Sequence, residues 1–332
     1  MTPMVFSQAI SASGPWRTVI LCRVMNLPAA TSGGGISCAQ APRAAGVARD
    51  REASIHVGAW QLTRLLSRSD QTAVFRARLA EHDLGPGCYA IKTTRRDGDA
   101  IGVALLRRES LVAHQVVNPH LVSVLVAETH HSRRYLVTPY LEGLTLRRLL
   151  LHANGERATW LPVSSALSIV RQTAAALTEL HQAGWLHSQV RPEHILVSPQ
   201  GHATLIDLTQ ARRLESSECE GGDELFTSLN YAAPEWFSSR GQLGSVADTY
   251  SLGIILYELI TGQPPFASKN ARQLIAMHRS AAPPDLRQVR SAAAQQTSEL
   301  VRRMLAKEPL RRPSDEELLR WLAEIEIEEL AV

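Results

Sequence analysis

The sequence predicts an α+β fold with two lobes, a small β-sheet lobe with one helix and a larger helical lobe. Two observations lead to this prediction. From residue 59 to about residue 138, short apolar runs alternate with turn residues, and a single helical pattern interrupts them. From about residue 142 to residue 332, most apolar residues recur at helical spacing. We therefore expect a domain over residues 59–332 that is divided in this way.

The composition excludes several classes of protein. Of the 332 residues, 45% are hydrophobic and 20% are charged, and the formal net charge of +3 is too small to predict nucleic-acid binding. The best candidate for a membrane span, residues 250–260, is too short and contains Glu258, so it predicts a buried helix. The four cysteines form no C-x-x-C pair and the start lacks a signal-peptide pattern, so we expect a cytoplasmic protein.

Residues 1–58 differ from the rest of the chain. They are rich in Ala, Ser, Gly and Pro, include a linker-like run at 31–35, and show no sustained apolar period. We predict that this segment is mostly disordered. The alternative is a translation start at Met25.

The small lobe is predicted to contain several short strands and one helix. Its strands are expected at about residues 73–78, 89–92, 121–126 and 135–138. A Gly-Pro-Gly turn at 85–87 separates the first two. The helix contains Arg108, Glu109 and Val112 and ends before Pro119.

The large lobe opens with a long helical pattern. Ser164 or Ser165 is expected to cap this helix, and Gly184 to end it. Its apolar residues are Leu167, Val170, Ala174, Leu177 and Leu180. A buried helix is then predicted over 252–260, broken by Gly262. The last helix opens with a capping box at residues 314–317.

One stretch organises the large lobe. Residues 187–194 read His-Ser-Gln-Val-Arg-Pro-Glu-His, and the apolar residues 195–197 follow. This stretch resembles the catalytic loop of protein kinases, H-R-D-L-x-x-x-N, which a short strand follows. In that resemblance His187 is structural, Gln189 replaces the catalytic Asp, and His194 replaces the Asn that holds a second magnesium ion. A carboxamide is not basic near pH 7, so Gln189 can orient a hydroxyl group but cannot take its proton.

A lysine at a motif position carries information here, because the chain contains only three lysines. The run Tyr-Ala-Ile-Lys that ends at Lys92 resembles the V-A-I-K strand of protein kinases, whose lysine contacts nucleotide phosphates. Glu109 lies ten residues before Pro119, the family's spacing for the partner of that lysine. The resemblance thus implies an ion pair between Lys92 and Glu109. The alternatives are a solvated lysine and a glutamate on a helix surface.

The same resemblance assigns an adenine site. Val74, Ala90 and Leu196 stand where protein kinases enclose the adenine ring. At the hinge, the Pro139 carbonyl and the Leu141 N–H would contact the base. A proline is tolerated there, since it removes only a donor that this contact does not use.

Two segments near the phosphate positions depart from the family pattern. Residues 67–74 replace the glycine-rich loop and keep none of its glycines, and Asp70 within them would repel phosphates. Residues 207–209, Asp-Leu-Thr, resemble D-F-G. Asp207 stands at the position of the aspartate that binds a metal ion in that motif. Thr209 replaces the glycine and is expected to restrict conformational switching of the segment.

The best-preserved motifs are structural ones. Residues 231–235 match the A-P-E motif with its preceding tyrosine, and residues 248–253 match the D-x-x-S-L-G start of a buried helix. The resemblance implies that Glu235 pairs with Arg312. It also implies that Asp248 ties the catalytic loop to the core of the large lobe.

We interpret the chain as resembling the bacterial, eukaryotic-like Ser/Thr protein kinases in a degenerate form. It would be a pseudokinase with weak or no phosphotransfer that acts in signalling by binding other proteins. The resemblance implies weak binding of ATP or ADP with little help from magnesium. The alternatives are an active ATP-dependent Ser/Thr protein kinase that uses water or Glu193 as its base, and a kinase fold that transfers AMP. Residues 208–230, with an acidic run, predict either a partner-binding or regulatory segment or a solvated loop.

Overall fold

The computed structural model describes residues 55–80, 87–96, 98–129, 134–151, 160–214, 229–238, 243–291 and 293–330. Within these ranges the small lobe is an antiparallel sheet with the strand order β1-β2-β3-β4-β6-β5. Its strands are β1 (His56–Val57), β2 (Trp60–Arg68), β3 (Thr72–Leu79), β4 (Tyr89–Thr94), β5 (Val126–Glu128) and β6 (Tyr135–Pro139). Helix α1 (Ala100–Gln115) packs against β4.

The predicted α+β fold with two lobes is confirmed. The sheet begins at His56, three residues before the predicted start of the domain at residue 59. Residues 1–54, the rest of the segment predicted to be mostly disordered, lie outside the described residues.

The segment between α1 and β6 joins the two lobes. The strand predicted over residues 121–126 is wrong, since β5 begins only at Val126. Leu121 instead forms an isolated parallel bridge with Leu205 of the large lobe, and the backbone N–H of Val122 donates to Leu205 O at 2.9 Å. Pairing across the lobes thus overrides the apolar pattern of this segment.

The large lobe is mostly helical. Its helices are α2 (Leu146–Leu150), α3 (Val163–Gln182), α4 (Val246–Thr261), α5 (Ala271–Ser280), α6 (Leu286–Val289), α7 (Gln295–Met304) and α8 (Asp315–Leu330). Short strands border the catalytic-loop segment: β7 (Leu144–Thr145), β8 (Trp185–Leu186), β9 (Ile195–Val197), β10 (Ala203–Leu205) and β11 (Arg212–Arg213). They form a sheet in the order β10-β9-β7 and a β11-β8 pair.

Helix α4 forms the centre of the large lobe, as its apolar sequence predicts. Every residue from Ala247 to Ile260 is buried. A Cβ atom at Gly253 would lie 2.8 Å from the Cβ of Met304, so a glycine is needed where α4 and α7 touch. Gly262 ends the helix with a φ of 80°, a conformation that favours glycine.

The boundaries of α3 follow the prediction at one end only. Gly184 follows the helix with a φ of 77°. The predicted N-cap is wrong, because α3 begins at Val163 after Pro162, and Ser164 and Ser165 lie inside it. Pro162 takes the N-cap position itself, and no side chain accepts from the first N–H groups of the helix.

Helix α8 begins as predicted. Ser314 N donates to Glu317 Oε2 at 2.9 Å, and Glu317 N donates to Ser314 Oγ at 3.3 Å, which confirms the capping box. None of the described helices is long and apolar enough to cross a membrane.

Candidate active site

Lys92 lies between two carboxylates at the junction of the lobes. Its Nζ donates to Glu109 Oε2 at 2.7 Å and to Asp207 Oδ1 at 2.8 Å. Strand β4 carries Lys92, the buried face of α1 carries Glu109, and Asp207 follows β10. The lysine is 9% exposed and the glutamate 3%, so their charges are removed from water. The ion pair between Lys92 and Glu109 that the sequence predicts is therefore present.

The electrostatics of this group keep the lysine charged. Burial would lower the pKa of Lys92, but the charges and hydrogen bonds of Asp207 and Glu109 raise it above its ordinary value. Burial raises the pKa of Glu109, and Lys92 opposes that effect. Burial would also raise the pKa of Asp207, but Lys92, His194 and the hydrogen bonds lower it. At neutral pH the Lys92 side chain is thus a charged ammonium group that is hydrogen-bonded to the side chains of Glu109 and Asp207.

Thr209 donates two hydrogen bonds to one oxygen of the Asp207 carboxylate. Its hydroxyl donates to Asp207 Oδ1 at 2.6 Å and its backbone N–H donates to the same oxygen at 3.3 Å. With Lys92, that oxygen accepts from three donor atoms. Leu208 is fully buried and fills the place of the D-F-G phenylalanine as an apolar plug. A ligand or cation would therefore reach Asp207 mainly through Oδ2.

Asp248, in the first turn of α4, holds the backbone of the catalytic-loop segment, as the resemblance implies. Its Oδ2 accepts from His187 N at 2.7 Å and its Oδ1 from Ser188 N at 3.0 Å. Ser188 has a φ of 69°, which a non-glycine residue adopts only where its surroundings enforce it. His187 is fully buried and burial lowers its pKa, which suits a structural residue.

Gln189 and His194 face each other across the turn of the catalytic-loop segment. Gln189 O lies 2.9 Å from His194 Nδ1, and His194 Nε2 lies 3.6 Å from Asp207 Oδ2. Burial lowers the pKa of His194 to about 4, so the imidazole is neutral at pH 7. The position of the family's base therefore holds a carboxamide, and a neutral imidazole stands beside the remaining acidic metal ligand.

The segment that replaces the glycine-rich loop is a tight turn between β2 and β3. Ser69 Oγ accepts from Thr72 N at 3.0 Å. Arg95, just after β4, holds the tip: its backbone N–H donates to Gln71 O at 2.9 Å. Its Nη1 donates to Ser69 O at 2.9 Å and to Asp70 O at 3.2 Å. The tip is thus fastened to the connection between β4 and α1.

The residues assigned to adenine come from both lobes and share one property. All are half-buried: Val74, Ala90, Pro139, Leu141 and Leu196. Strand register places Val74 opposite Lys92 and Ala90 opposite Thr138, whereas Leu196 lies in the β10-β9-β7 sheet. Half-buried apolar side chains leave surface that a flat ring can cover.

Arg147 of α2 connects distant segments in a way that sequence reasoning missed. Its Nε donates to Glu193 Oε1 at 2.9 Å and its Nη1 donates to Glu258 Oε1 at 2.8 Å. Tyr231 OH donates to Glu258 Oε2 at 2.5 Å and contacts Arg147 Nη2. The sequence did contain one indication of this network, because Glu258 lies within an apolar helix and a buried carboxylate there requires a partner. Nothing in the sequence identifies that partner as Arg147.

Glu193 is constrained by its arginine neighbours. Its two carboxylate oxygens accept from Arg147 Nε at 2.9 Å and from Arg191 Nε at 3.0 Å. Burial would raise the pKa of Glu193, but the hydrogen bond from Arg147 and the charges of both arginines lower it. Glu193 is thus a weaker base than an ordinary glutamate.

The predicted pair of Glu235 and Arg312 is present and buried. Arg312 Nη1 donates to Glu235 Oε1 at 2.6 Å and Nη2 donates to Oε2 at 2.8 Å. The two side chains are 0% and 8% exposed for arginine and glutamate. Arg312 also donates to Ala306 O and Val246 O, so it joins the start of α4 to the segment before α8.

The atoms that Asp207 and His194 offer as metal ligands fit Mg²⁺ poorly. Mg²⁺ prefers an octahedral shell of oxygen atoms. Here Asp207 Oδ1 is taken by Lys92 and Thr209, and the second ligand position offers an imidazole nitrogen from His194. In the part of the chain that the structure describes, no group of three or more His, Cys, Asp or Glu side chains is placed to hold a metal ion.

Comparisons with known proteins agree with this geometry. A family model described as the protein kinase domain matches residues 72–321. The chain is 29% identical over 258 residues to the serine/threonine-protein kinase PrkC of Bacillus subtilis (strain 168). This alignment covers 77% of this chain and 38% of that protein. It is 28% identical over 237 residues to the probable serine/threonine-protein kinase PknB of Lactococcus lactis, with 70% and 37% coverage. The serine/threonine-protein kinase PknD of Mycobacterium tuberculosis is 29% identical over 256 residues, with 77% and 38% coverage. The chain thus spans less than half the length of these relatives.

Proposed function

The chain belongs to the protein kinase domain family, whose members normally use ATP and Mg²⁺, and from that premise we propose that it is a pseudokinase. It would bind partner proteins in a signalling role and carry out weak or no phosphotransfer. The observation that carries the proposal is Gln189, a carboxamide at the position of the family's catalytic carboxylate. An amide oxygen can accept a hydrogen bond from a substrate hydroxyl group, but it does not remove the proton.

A second feature supports the proposal. In the family, lysine and magnesium neutralise the phosphate charge that develops during transfer. Here the Lys92 ammonium lies 2.7 Å from Glu109 and 2.8 Å from Asp207. Phosphate oxygens would have to compete with both carboxylates. We therefore propose weak binding of ATP or ADP, in which the adenosine portion contributes most and magnesium contributes little.

The proposed partners are other proteins of the cytoplasm. Relatives named as serine/threonine-protein kinases suggest a signalling context. Residues 208–230 remain the proposed partner-binding or regulatory segment, although residues 215–228 lie outside the described part of the chain. A pull-down in which deletion of residues 214–224 changes nothing would favour a plain solvated loop.

The decisive experiment is incubation with isotopically labelled ATP and either Mg²⁺ or Mn²⁺, with and without a generic Ser/Thr substrate. Intact-mass analysis then follows both proteins. We expect no gain of phosphate or AMP on either. A gain of one phosphate that is lost in Lys92→Met would refute the pseudokinase, and a gain of AMP would establish a kinase fold that transfers AMP.

An active kinase is the second candidate, and two observations favour it. The pair of Lys92 and Glu109 is formed, and Asp248 holds the catalytic-loop backbone as an active enzyme would require. Phosphoryl transfer depends largely on positioning, so the loss of a base alone need not abolish it. Glu193 is an unsuitable replacement base because two arginines lower its pKa. This candidate would therefore have to rely on water.

A further inference from the structure

We propose that Lys307 is a modification site, at which the side-chain amine takes an acyl group from an acyl phosphate. Lys307 lies in the segment between α7 and α8, and its amine reaches the junction of α4 and α5. Its Nζ donates to Tyr250 OH of α4 at 3.3 Å and to Met277 O of α5 at 3.4 Å. The residue is half-buried, so a small reagent can reach the side chain from solvent.

The surroundings of the Lys307 amine are aromatic and cationic. Its Nζ lies 4.2 Å from the ring centroid of Phe266 and 5.5 Å from that of Tyr250, and both rings are buried. The Cζ of Arg312 lies 4.9 Å from the centroid of the same Tyr250 ring. An apolar pocket and a neighbouring cation each favour the uncharged form of a lysine, which is the nucleophile. Lys307 has both features.

No carboxylate of the described residues forms an ion pair with the Lys307 amine. Both oxygens of Glu235 accept from Arg312. His278 of α5, whose Nδ1 lies 3.0 Å from Tyr250 OH, is neutral at pH 7, because burial lowers its pKa to about 4. Burial and the charge of Arg312 lower the pKa of Lys307 to about 8. The two ring faces attract the ammonium and oppose this shift, so the test includes the titration of the amine.

The reaction is an acyl transfer without change of oxidation state. The lone pair of the Lys307 amine attacks the carbonyl carbon, a C–N bond forms, and the C–O bond to phosphate breaks. The proton that the amine loses leaves with inorganic phosphate. Near neutral pH a lysine with a pKa of about 8 contains roughly a hundred times more free amine than one with the ordinary value of 10.5. This inference goes beyond the proposed function, and it requires neither a nucleotide nor a partner protein.

The chain supplies two internal references for this reactivity, because it contains only three lysines. Lys269 is exposed. Lys92 is buried, and its ammonium is hydrogen-bonded to two carboxylates. Acyl transfer to Lys307, Lys269 and Lys92 therefore compares an uncompensated half-buried amine with an exposed one and with a buried ion-paired one.

The test is incubation of the full chain with limiting acetyl phosphate between pH 6 and pH 10, followed by peptide mass spectrometry at each lysine. A sample unfolded in guanidinium chloride gives the reactivity of each site without the fold. In the folded chain at pH 7.5 we expect Lys307 to be acetylated roughly tenfold faster than Lys269, because a weaker base loses part of the gain in free amine. Lys92 should stay unmodified. The rate at Lys307 should level off above about pH 8, and unfolding should remove the differences.

Equal rates at Lys307 and Lys269 in the folded chain would overturn the proposal, and so would a rate at Lys307 that still rises steeply between pH 9 and pH 10. The variants K307R and K269R keep the positive charge and remove one amine each. Total acetyl uptake by the folded chain at pH 7.5 should fall in K307R and stay nearly unchanged in K269R, and the reverse result contradicts the site. If K307R does not fold, the rates at the three lysines of the wild type decide.

Discussion

Buried charges are compensated differently on the two sides of the catalytic-loop segment. On the large-lobe side, Asp248 holds two backbone N–H groups of the loop, and Glu235 forms two parallel hydrogen bonds with Arg312. On the side of the proposed nucleotide site (the nucleotide side), Lys92 and Thr209 both donate to Oδ1 of Asp207, one of its two carboxylate oxygens. The first arrangement supports the fold. In the second arrangement, donors of the same chain hydrogen-bond to the carboxylate that would otherwise contact a ligand.

This difference shows that the backbone of the catalytic-loop segment is held by contacts that do not involve the groups facing a ligand. The large-lobe groups satisfy one another, so they need no ligand to remain buried. The nucleotide side keeps a charged lysine but has replaced the base, the second metal ligand and the loop glycines. The comparison predicts large stability effects from the large-lobe pairs and small ligand effects at the nucleotide side.

The largest expected effect comes from Arg312→Ala. It leaves the Glu235 carboxylate, 8% exposed, without its partner, and breaking a buried pair typically costs about 3–5 kcal/mol. Urea unfolding should show this loss of free energy. Arg311→Ala is the matched control, because the neighbouring Arg311 is 72% exposed in its pair with Glu308 and should leave stability unchanged. Equal midpoints for both variants would mean that the buried pair does not support the large lobe.

The next effect is a pH dependence from His181, which joins α3 to α4 and α8. Its Nε2 lies 3.1 Å from Asp248 Oδ2 and its Nδ1 lies 2.9 Å from Asp315 Oδ2. Burial would lower the pKa of His181, but these hydrogen bonds and charges raise it to about 9. The pKa is higher in the folded state than the ordinary 6.5, so the stabilisation is complete below pH 6.5 and disappears as the pH rises through 9. Its size is roughly 3 kcal/mol.

The check is urea unfolding of wild type and His181→Gln between pH 6 and pH 10. We expect the wild type to be the more stable protein at pH 6, and the difference to shrink towards pH 10. Comparing the two proteins isolates His181, because the other groups titrate in both. A difference that stays constant over this range would show that the imidazole is neutral in the folded protein.

Sequence predicts the parts of this fold that depend on local chemistry. Gly262 ends α4, and Ser314 with Glu317 begins α8, because each needs only its own segment. The prediction fails where distant pairing decides. The apolar run after Leu121 could form a strand by itself, but Leu121 pairs with Leu205 instead.

The candidate site likewise combines contacts that the sequence predicts with contacts that it does not predict. The ion pairs of Lys92 with Glu109 and of Arg312 with Glu235 could be predicted, since motif spacing identifies both partners. The contacts of Thr209 with Asp207 and of His194 with Gln189 O could not be predicted. They depend on how a side chain turns within a fixed loop, and residue type alone does not determine that direction.

Nucleotide binding is expected to give a smaller effect than either large-lobe variant. Stabilisation follows the logarithm of ligand concentration over Kd, about 1.4 kcal/mol at ten times Kd. We expect ATP, ADP and adenosine to raise the melting temperature by similar, modest amounts, and Mg²⁺ to add little. Lys92→Met should reduce the ATP and ADP shifts more than the adenosine shift. A large ATP shift that strictly requires Mg²⁺ would reveal a competent phosphate site and contradict the contrast between the two sides.

The smallest expected effect concerns Arg95, which fastens the turn that replaces the glycine-rich loop. Its side chain donates to Ser69 O and Asp70 O at an exposed position, where hydrogen bonds contribute at most about 1 kcal/mol. Arg95→Ala should therefore leave global stability almost unchanged, while amide hydrogen exchange rises at Ser69 and Thr72, whose backbone N–H groups are hydrogen-bonded within the turn. Arg96→Ala is the matched control, because Arg96 lines a surface recess together with Asp70, Gln71 and Arg95, and we expect no change in exchange for this variant. If exchange stays slow in Arg95→Ala, the hydrogen bonds between Ser69 and Thr72, together with the backbone bond from Arg95 N to Gln71 O, hold the turn without the Arg95 side chain.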